Sequence, residues 1–405
     1  MITDSYKPQI CSVSSLMSEL AECLVQRGNF VTVLTIQPDG RTSSKDSGRV
    51  FSESELIKGV EVFRVSVPTM HPKNLILRGI NTLLGSKLLS LKSRSLLKRS
   101  TRFDSVLFYS PPITLIDTAD EFAKRHGAKL LMLLRDLFPQ NAIDLGILKN
   151  RAAVRIFQRI EDRCYRRSDI ILPQTDTNED YLITNKKVPR SKIEVLYNWV
   201  NTQAYRSENN YIDIHREFGL NGQKICLYAG TMGPAQGLEK IIESAEHLKN
   251  QNVVFLFAGN GRSRQNLESL ARSKQLDNVL FRDYCPSEVY PSLVKSADLG
   301  IISLAKENHT PIVPGKLVGY MAGGLPVVAM INKESTDLIR IIDESQCGKY
   351  VIDGDSVMFA EKIHELLSSP EKLLEYKRNA LDYVERFFSV ETAAKTIEEL
   401  SEREE

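Results

Sequence analysis

The sequence predicts an α/β protein built as two doubly wound domains, and three observations carry that reading. At 405 residues the chain exceeds what one ordinary core organises. Short apolar, β-branched runs alternate with segments of helical period along nearly its whole length, the pattern of βαβ units and parallel sheets. Near residues 190–200 that pattern breaks and a fresh series of strands begins.

The first series of expected strands covers residues 30–36, 60–67, 105–109, 130–134 and 170–172. Ahead of it, Val13, Leu16, Met17, Leu20, Cys23 and Leu24 share one face at helical spacing, and Gly28 closes that helix. A doubly wound half needs a strand before this helix, and only Met1-Ile2-Thr3 is available, short beside ordinary strands. The expectation is that the start lies upstream or that this is a degraded sheet edge. Val188-Pro189-Arg190-Ser191 then interrupts the pattern, and the second series covers residues 193–197, 225–229, 253–258, 279–281, 299–304 and 326–329. A charged helical tail follows from about residue 370. The expected domains are therefore 1–195, 196–370, and C-terminal helices 371–405 packing back toward the first.

Composition narrows the function classes. A hydrophobic content of 42% with 26% charged residues suits a soluble globular protein. No run approaches the length of apolar chain that crosses a bilayer, and residues 1–14 lack a basic and apolar leader, so a cytoplasmic protein is expected. The six cysteines show no C-x-x-C pair, and the six histidines have no metal-ligand spacing, so neither a metal site nor a cofactor is expected. A net charge of +2 does not point to nucleic acid. Residues 71–103 are the exception, with Lys73, Arg78, Lys87, Lys92, Arg94, Lys98, Arg99 and Arg102 among leucines and no acidic residue. This cationic amphipathic stretch suits peripheral contact with an anionic membrane, or equally a helix that packs its leucines and solvates its charges.

Three segments carry chemistry. Residues 227–240 read as a strand entering a glycine loop, Gly230-Thr231-Met232-Gly233-Pro234-Ala235-Gln236-Gly237, and then a helix. Glycines admit a ligand close to the backbone, and free N–H groups at a helix start attract phosphate oxygens, so a diphosphate site is the functional reading and a plain βα turn the bland one. In residues 310–329 a helix starting near Pro314 and Gly315 carries Lys316 in its first turn, where the helix dipole disfavours a cation unless an anion binds beside it. The alternative is a solvated surface lysine. Phe257-Ala258-Gly259-Asn260-Gly261-Arg262 is a third strand-glycine turn.

Taken in order, Tyr-Ala-Gly…Ala-Gln-Gly-Leu, Phe-Ala-Gly-x-Gly and Pro-x-Lys-Leu…Tyr-Met-Ala-x-Gly-x-Pro-Val-Val-Ala resemble the bacterial family 4 retaining glycosyltransferases. These have the GT-B fold, two Rossmann-like domains facing a cleft, and the resemblance is greatest to the branch with colanic-acid and O-antigen transferases. Tyr109-Ser110-Pro111-Pro112, Arg135-Asp136-Leu137-Phe138-Pro139 and Asn198 extend it through the first domain.

The resemblance implies a retaining transferase that moves a hexose or N-acetylhexosamine from a nucleoside diphosphate-sugar, UDP foremost, to a lipid-linked saccharide during surface polysaccharide assembly. It implies Asp136 and Lys316 as the catalytic pair, with Ser12, Arg135 and Asn198 on the acceptor side. Gly230, Gly233, Gln236, Gly237, Gly259, Gly261, Asp283, Cys285, Gly315, Gly319 and Tyr320 would line the donor. The chain departs from the family at its E-x7-E pair, whose positions hold Pro311 and Gly319. With the ribose-gripping carboxylate absent, Gly319→Glu is expected to tighten nucleotide binding, provided the new side chain points at the ligand. The competing classes are a non-catalytic homologue partnering an active transferase, and a sugar-nucleotide epimerase.

Overall fold

A computed structural model describes residues 1–9, 11–36, 54–65, 85–86, 88–91, 93, 102–144, 146–207, 212–286, 288–306, 313–352 and 354–403. Most of the basic segment 71–103, together with Pro311, lies outside the described residues. The chain divides into two compact units, one of residues 1–197 with 393–405, the other of residues 198–392.

In the first unit, β1 (Thr32–Ile36) pairs in parallel with β3 (Val60–Val65), and β2 (Glu55–Ile57) returns antiparallel on the outer side of β3. A second run, β4 (Ser105–Ser110), β5 (Lys129–Leu134) and β6 (Ile170–Pro173), is parallel throughout. Ile2 joins the two runs, bridging Leu34 of β1 and Phe108 of β4. Its N–H donates to the Leu107 carbonyl at 2.8 Å and its carbonyl accepts from Tyr109 N–H at 3.0 Å. Met1-Ile2-Thr3 is thus a central position of the sheet and not a degraded edge; pairing on both sides holds a segment too short to stand as an edge strand. Ile2, Phe108, Met132 and Leu134 fall in one buried cluster with Ala119 and Phe122 of the helix Ile116–His126.

The second unit holds a six-stranded sheet: β7 (Lys224–Ala229), β8 (Val253–Ala258), β9 (Val279–Arg282), β10 (Leu299–Ser303), β11 (Val327–Ile331) and β12 (Gly348–Ile352). All neighbours are parallel, in the order β12-β11-β10-β7-β8-β9, so the winding reverses between β7 and β10. Every residue of β8 and β11 is buried, as strands covered on both faces must be. Ligands of such sheets bind beyond the carboxyl ends of the strands where the winding reverses.

Three expectations change. Residues 193–197 form no strand; Ile193 makes a single bridge to Ile171. β12, with its glycine and lysine, was hidden by a weak apolar pattern. The helix Pro370–Tyr383, expected in a tail apart from the second domain, belongs to the second unit, where its Tyr376 joins the core. Only from Ala393 is the chain part of the first unit, where Arg27 and Asn29 both bond the Glu398 carboxylate.

Candidate functional site

The loop after β7 sits where the second sheet reverses. Gly230 continues the ladder, donating to the Ala258 carbonyl at 2.9 Å, at a φ of +143° that favours glycine. Further on, a 3-10 turn (Pro234–Gln236) ends on Gly237 in the left-handed region, and a Cβ there would stand 3.0 Å from Ala305 Cα. The turn is tied to the end of β10: Ser303 Oγ donates to the Gln236 carbonyl at 2.6 Å and Ala305 N–H to the Ala235 carbonyl at 3.0 Å. Gly233 opens the turn with no atom within 4 Å of where a Cβ would be.

The helix Gly315–Ala322 starts from Pro314, whose extended backbone (ψ 130°) sets the helix entry, and Lys316 is its second residue. Lys316 Nζ donates to Tyr228 Oη and to Gln236 Oε1, both at 3.2 Å, and lies 4.4 Å from the centre of the Tyr228 ring. Tyr228 Oη in turn donates to the Thr231 carbonyl at 2.7 Å, so strand, loop and helix converge on one ammonium. Lys316 Cε is also 3.4 Å from where a Cβ on Gly230 would be. No carboxylate pairs with Lys316 among the described residues, and burial pushes its pKa down to about 8. A cation held beside a helix N-terminus, supported only by neutral oxygens and a ring, is set to receive an anion.

Gly230, Gln236, Gly237 and Lys316 are therefore brought together. Gly315, with open space at its Cβ position, begins the same helix. Gly259 and Gly261 lie close by, but what requires glycine there is the protein's own backbone. A Cβ on Gly259 would overlap the Gly230 carbonyl, and one on Gly261 the Met232 carbonyl. Tyr320, expected at the donor, faces the scaffold: its buried hydroxyl accepts from Ala229 N–H at 2.8 Å and donates to the Leu227 carbonyl at 3.1 Å. The expectation for Gly319→Glu meets a condition. A Cβ at Gly319 would meet Tyr290 Cε1 at 3.0 Å, Tyr205 Oη at 3.1 Å and Tyr290 Oη at 3.2 Å, so a glutamate enters only if both tyrosines give way by a few tenths of an ångström.

Asp283 is exposed and ion-paired at 2.6 Å with Arg264, which also donates to the Gly259 carbonyl at 2.9 Å and Asn260 Oδ1 at 2.7 Å. Arg264 thereby ties the turns after β8 and β9 together, a role that its place at a charged helix start did not reveal. Cys285 is buried and burial pushes its thiol pKa up, while Tyr284 before it is exposed.

In the first unit the corresponding reversal, between Ile2 and β4, gathers charge. Arg135 follows β5 and is buried, with Nη1 donating to the Leu196 carbonyl at 2.5 Å; burial lowers its pKa to about 9. Asp136 beside it reaches solvent, yet the surrounding protein raises its carboxyl pKa against the pull of Arg135. Asp4, which sequence reasoning missed, follows Ile2 and is pushed up to about 6 by desolvation. Burial raises Tyr109 to about 12, with the charges of Arg135, Asp136 and Asp4 all acting on it. Ser12 is exposed at the first position of the helix Ser12–Gln26, and Asn198 opens the second unit with Oδ1 enclosed and without a hydrogen bond among the described residues. Among the described residues no group of three or more His, Cys, Asp or Glu is placed to hold a metal ion, and no helix is long and apolar enough to cross a membrane.

The family description "Glycosyl transferases group 1" matches residues 211–382, and "Glycosyl transferase 4-like domain" matches residues 13–199. The probable glycosyltransferase WbjE of Pseudomonas aeruginosa is 25% identical over 304 residues, 74% of each chain. WcaI of Escherichia coli (strain K12), named for glycosyl transfer in colanic acid biosynthesis, is 21% identical over 330 residues, 79% of this chain and 80% of its own. The solved structure of Anabaena Alr3699/HepE in complex with UDP and glucose superposes with a TM-score of 0.69 at 14% identity, over 99% of each chain. The shared fold is GT-B, with two Rossmann-like units.

Proposed function

Because the chain belongs to the group 1 glycosyl transferases, with a glycosyl transferase 4-like first unit, we propose that it moves a hexose or N-acetylhexosamine from a nucleoside diphosphate-sugar, UDP foremost, to a lipid-linked saccharide in surface polysaccharide assembly. The observation that carries the donor side is Lys316, an ammonium with no carboxylate partner among the described residues, held by Tyr228 and Gln236 at the reversal of the second sheet. The complex of HepE with UDP and glucose favours a uridine nucleotide. WcaI's name favours a polysaccharide product.

In the reaction we envisage, the anomeric configuration is retained. The acceptor hydroxyl attacks the anomeric carbon on the face from which the diphosphate leaves. The carbon–oxygen bond to phosphate breaks, the glycosidic bond forms, and the departing phosphate oxygen takes the acceptor's proton. Lys316 and the N–H groups at the Gly315 helix start offset the charge that grows on the leaving group, the place where a preorganised cation lowers a barrier most. Gly233 and Gly237 let the backbone approach the diphosphate, and the backbone of 283–285 meets the base. Asp136, with Arg135, Ser12 and Asn198, is assigned to the acceptor. The basic segment 71–103 would hold the enzyme on the anionic cytoplasmic face of a membrane, with binding to anionic vesicles that fades as salt rises.

Titration with UDP and GDP tests the donor site. Lys316→Ala should weaken binding at least about tenfold, or about 1.4 kcal/mol. Equal binding by variant and parent would make Lys316 a brace for Tyr228 and Gln236 only and put the donor elsewhere.

A further inference from the structure

Gly319 lies one helical turn beyond Lys316, so the two residues present neighbouring positions on one helix face. What meets that face is aromatic. Tyr290 opens the helix Tyr290–Lys295, which follows β9 and so begins at the same edge of the sheet as the glycine loop and Lys316. Its ring edge would be 3.0 Å, and its hydroxyl 3.2 Å, from a Cβ at position 319. Gly319 itself is buried, whereas Tyr290 keeps partial exposure, and its hydroxyl makes no hydrogen bond among the described residues. Glycine at 319 is thus the residue that leaves room for this phenol beside the phosphate-binding turn.

We propose that the Tyr290 hydroxyl is the group that hydrogen-bonds the ribose hydroxyls of the bound nucleotide, brought into the space a side chain at 319 would otherwise fill. The inference rests on the nucleotide site proposed above. Geometry supports the order of contacts: the diphosphate at Lys316 and the helix start, the sugar one turn along at Tyr290, the base toward the turn 283–285 that leads into Tyr290. Burial pushes the phenol's pKa well up, so it stays neutral and can both donate and accept. A neutral hydroxyl holds a diol less firmly than a charged partner does. The ribose should then be a minor contributor to affinity beside the diphosphate.

A thermodynamic cycle that pairs a side-chain change with a ligand change decides it. The parent, Tyr290→Phe and Lys316→Ala are titrated with UDP and with its 2′,3′-dideoxy analogue, or with the guanosine pair if GDP binds more tightly. Tyr290→Phe should weaken UDP about fivefold, as loss of one neutral hydrogen bond does. The parent should bind the dideoxy analogue about as weakly, and Tyr290→Phe should no longer distinguish the two ligands. Lys316→Ala should weaken both ligands alike and keep their ratio. If Tyr290→Phe discriminates between them as the parent does while Lys316→Ala weakens both, the Tyr290 assignment is overturned and the site stands. If Lys316→Ala weakens neither, or neither nucleotide binds the parent, the site falls and this assignment with it.

Discussion

Both sheets reverse their winding in the same way, and the chain furnishes the two reversals with opposite materials. In the second unit the point is made of backbone and one cation: Gly230 and Gly259 pressed together, Gly237 against Ala305, and Lys316 resting on Tyr228. In the first unit it is made of titratable side chains, Asp4, Tyr109, Arg135 and Asp136, whose charges act on one another. Topology supplies a place for a ligand in each case, and the loops decide its chemistry. A backbone site suits an anion whose charge is spread over many oxygens, while a cluster of carboxyls and a guanidinium suits a polyhydroxylated acceptor that must be oriented.

The largest expected effect separates the two materials. Gly259→Val should destabilise the second unit by about 3 kcal/mol or more, because a Cβ there enters the Gly230 carbonyl and the backbone holds a φ of +142°. Thermal unfolding should show this together with loss of UDP binding; an unchanged melting temperature would mean the two loops are free to part. The first reversal should respond in the other sense. Asp136→Asn should cut glycosyl transfer on the order of a hundredfold and leave UDP affinity within about twofold. A parallel loss of nucleotide affinity would show that the two sites do not divide the work as drawn.

Proton linkage sharpens the contrast. Lys316 has a lowered pKa of about 8 in the free protein, and a bound diphosphate would raise it, so binding takes up a proton above that pH. UDP affinity should therefore fall by up to about tenfold per unit as pH rises beyond 8, a slope that Lys316→Ala should flatten in calorimetry. Asp4 gives the smallest effect. Its folded pKa, raised to about 6, exceeds the unfolded value, so the folded state binds the extra proton and the parent loses stability as pH climbs from 4 to 6. Discounted for partial exposure, the loss is about 1 kcal/mol, and Asp4→Asn should lack it in denaturant titrations at pH 4 and pH 7.

Much of this was legible in the chain because it is local. Strands such as 253–258 announce themselves by unbroken apolar runs, and the glycine loop with Lys316 is written within two short segments. What escaped depends on partners distant in sequence. Ile2 is a strand only because Leu34 and Phe108 flank it. Tyr228 becomes a support for Lys316, 88 positions away, and Tyr320 turns inward to brace the Ala229 backbone. Gly319 was legible as a missing carboxylate, but not as the clearance for Tyr290 and Tyr205. Asp4 escaped because the strand position before it, at Ile2, is made by partners that arrive later in the chain.

The first unit is completed by residues 393–405, with Ile397 and Leu400 buried, Glu398 bonded to Arg27 and Asn29, and Ser401 bonded to Ser105. During synthesis on the ribosome, those positions emerge only after the whole second unit has been made. Its nascent first unit must wait, with a strip of apolar surface uncovered, while the second unit, continuous from 198 to 392, already has all of its sequence. A chain stopped at residue 392 would leave that strip bare for good, whereas residues 198–392 form the natural piece to express by itself.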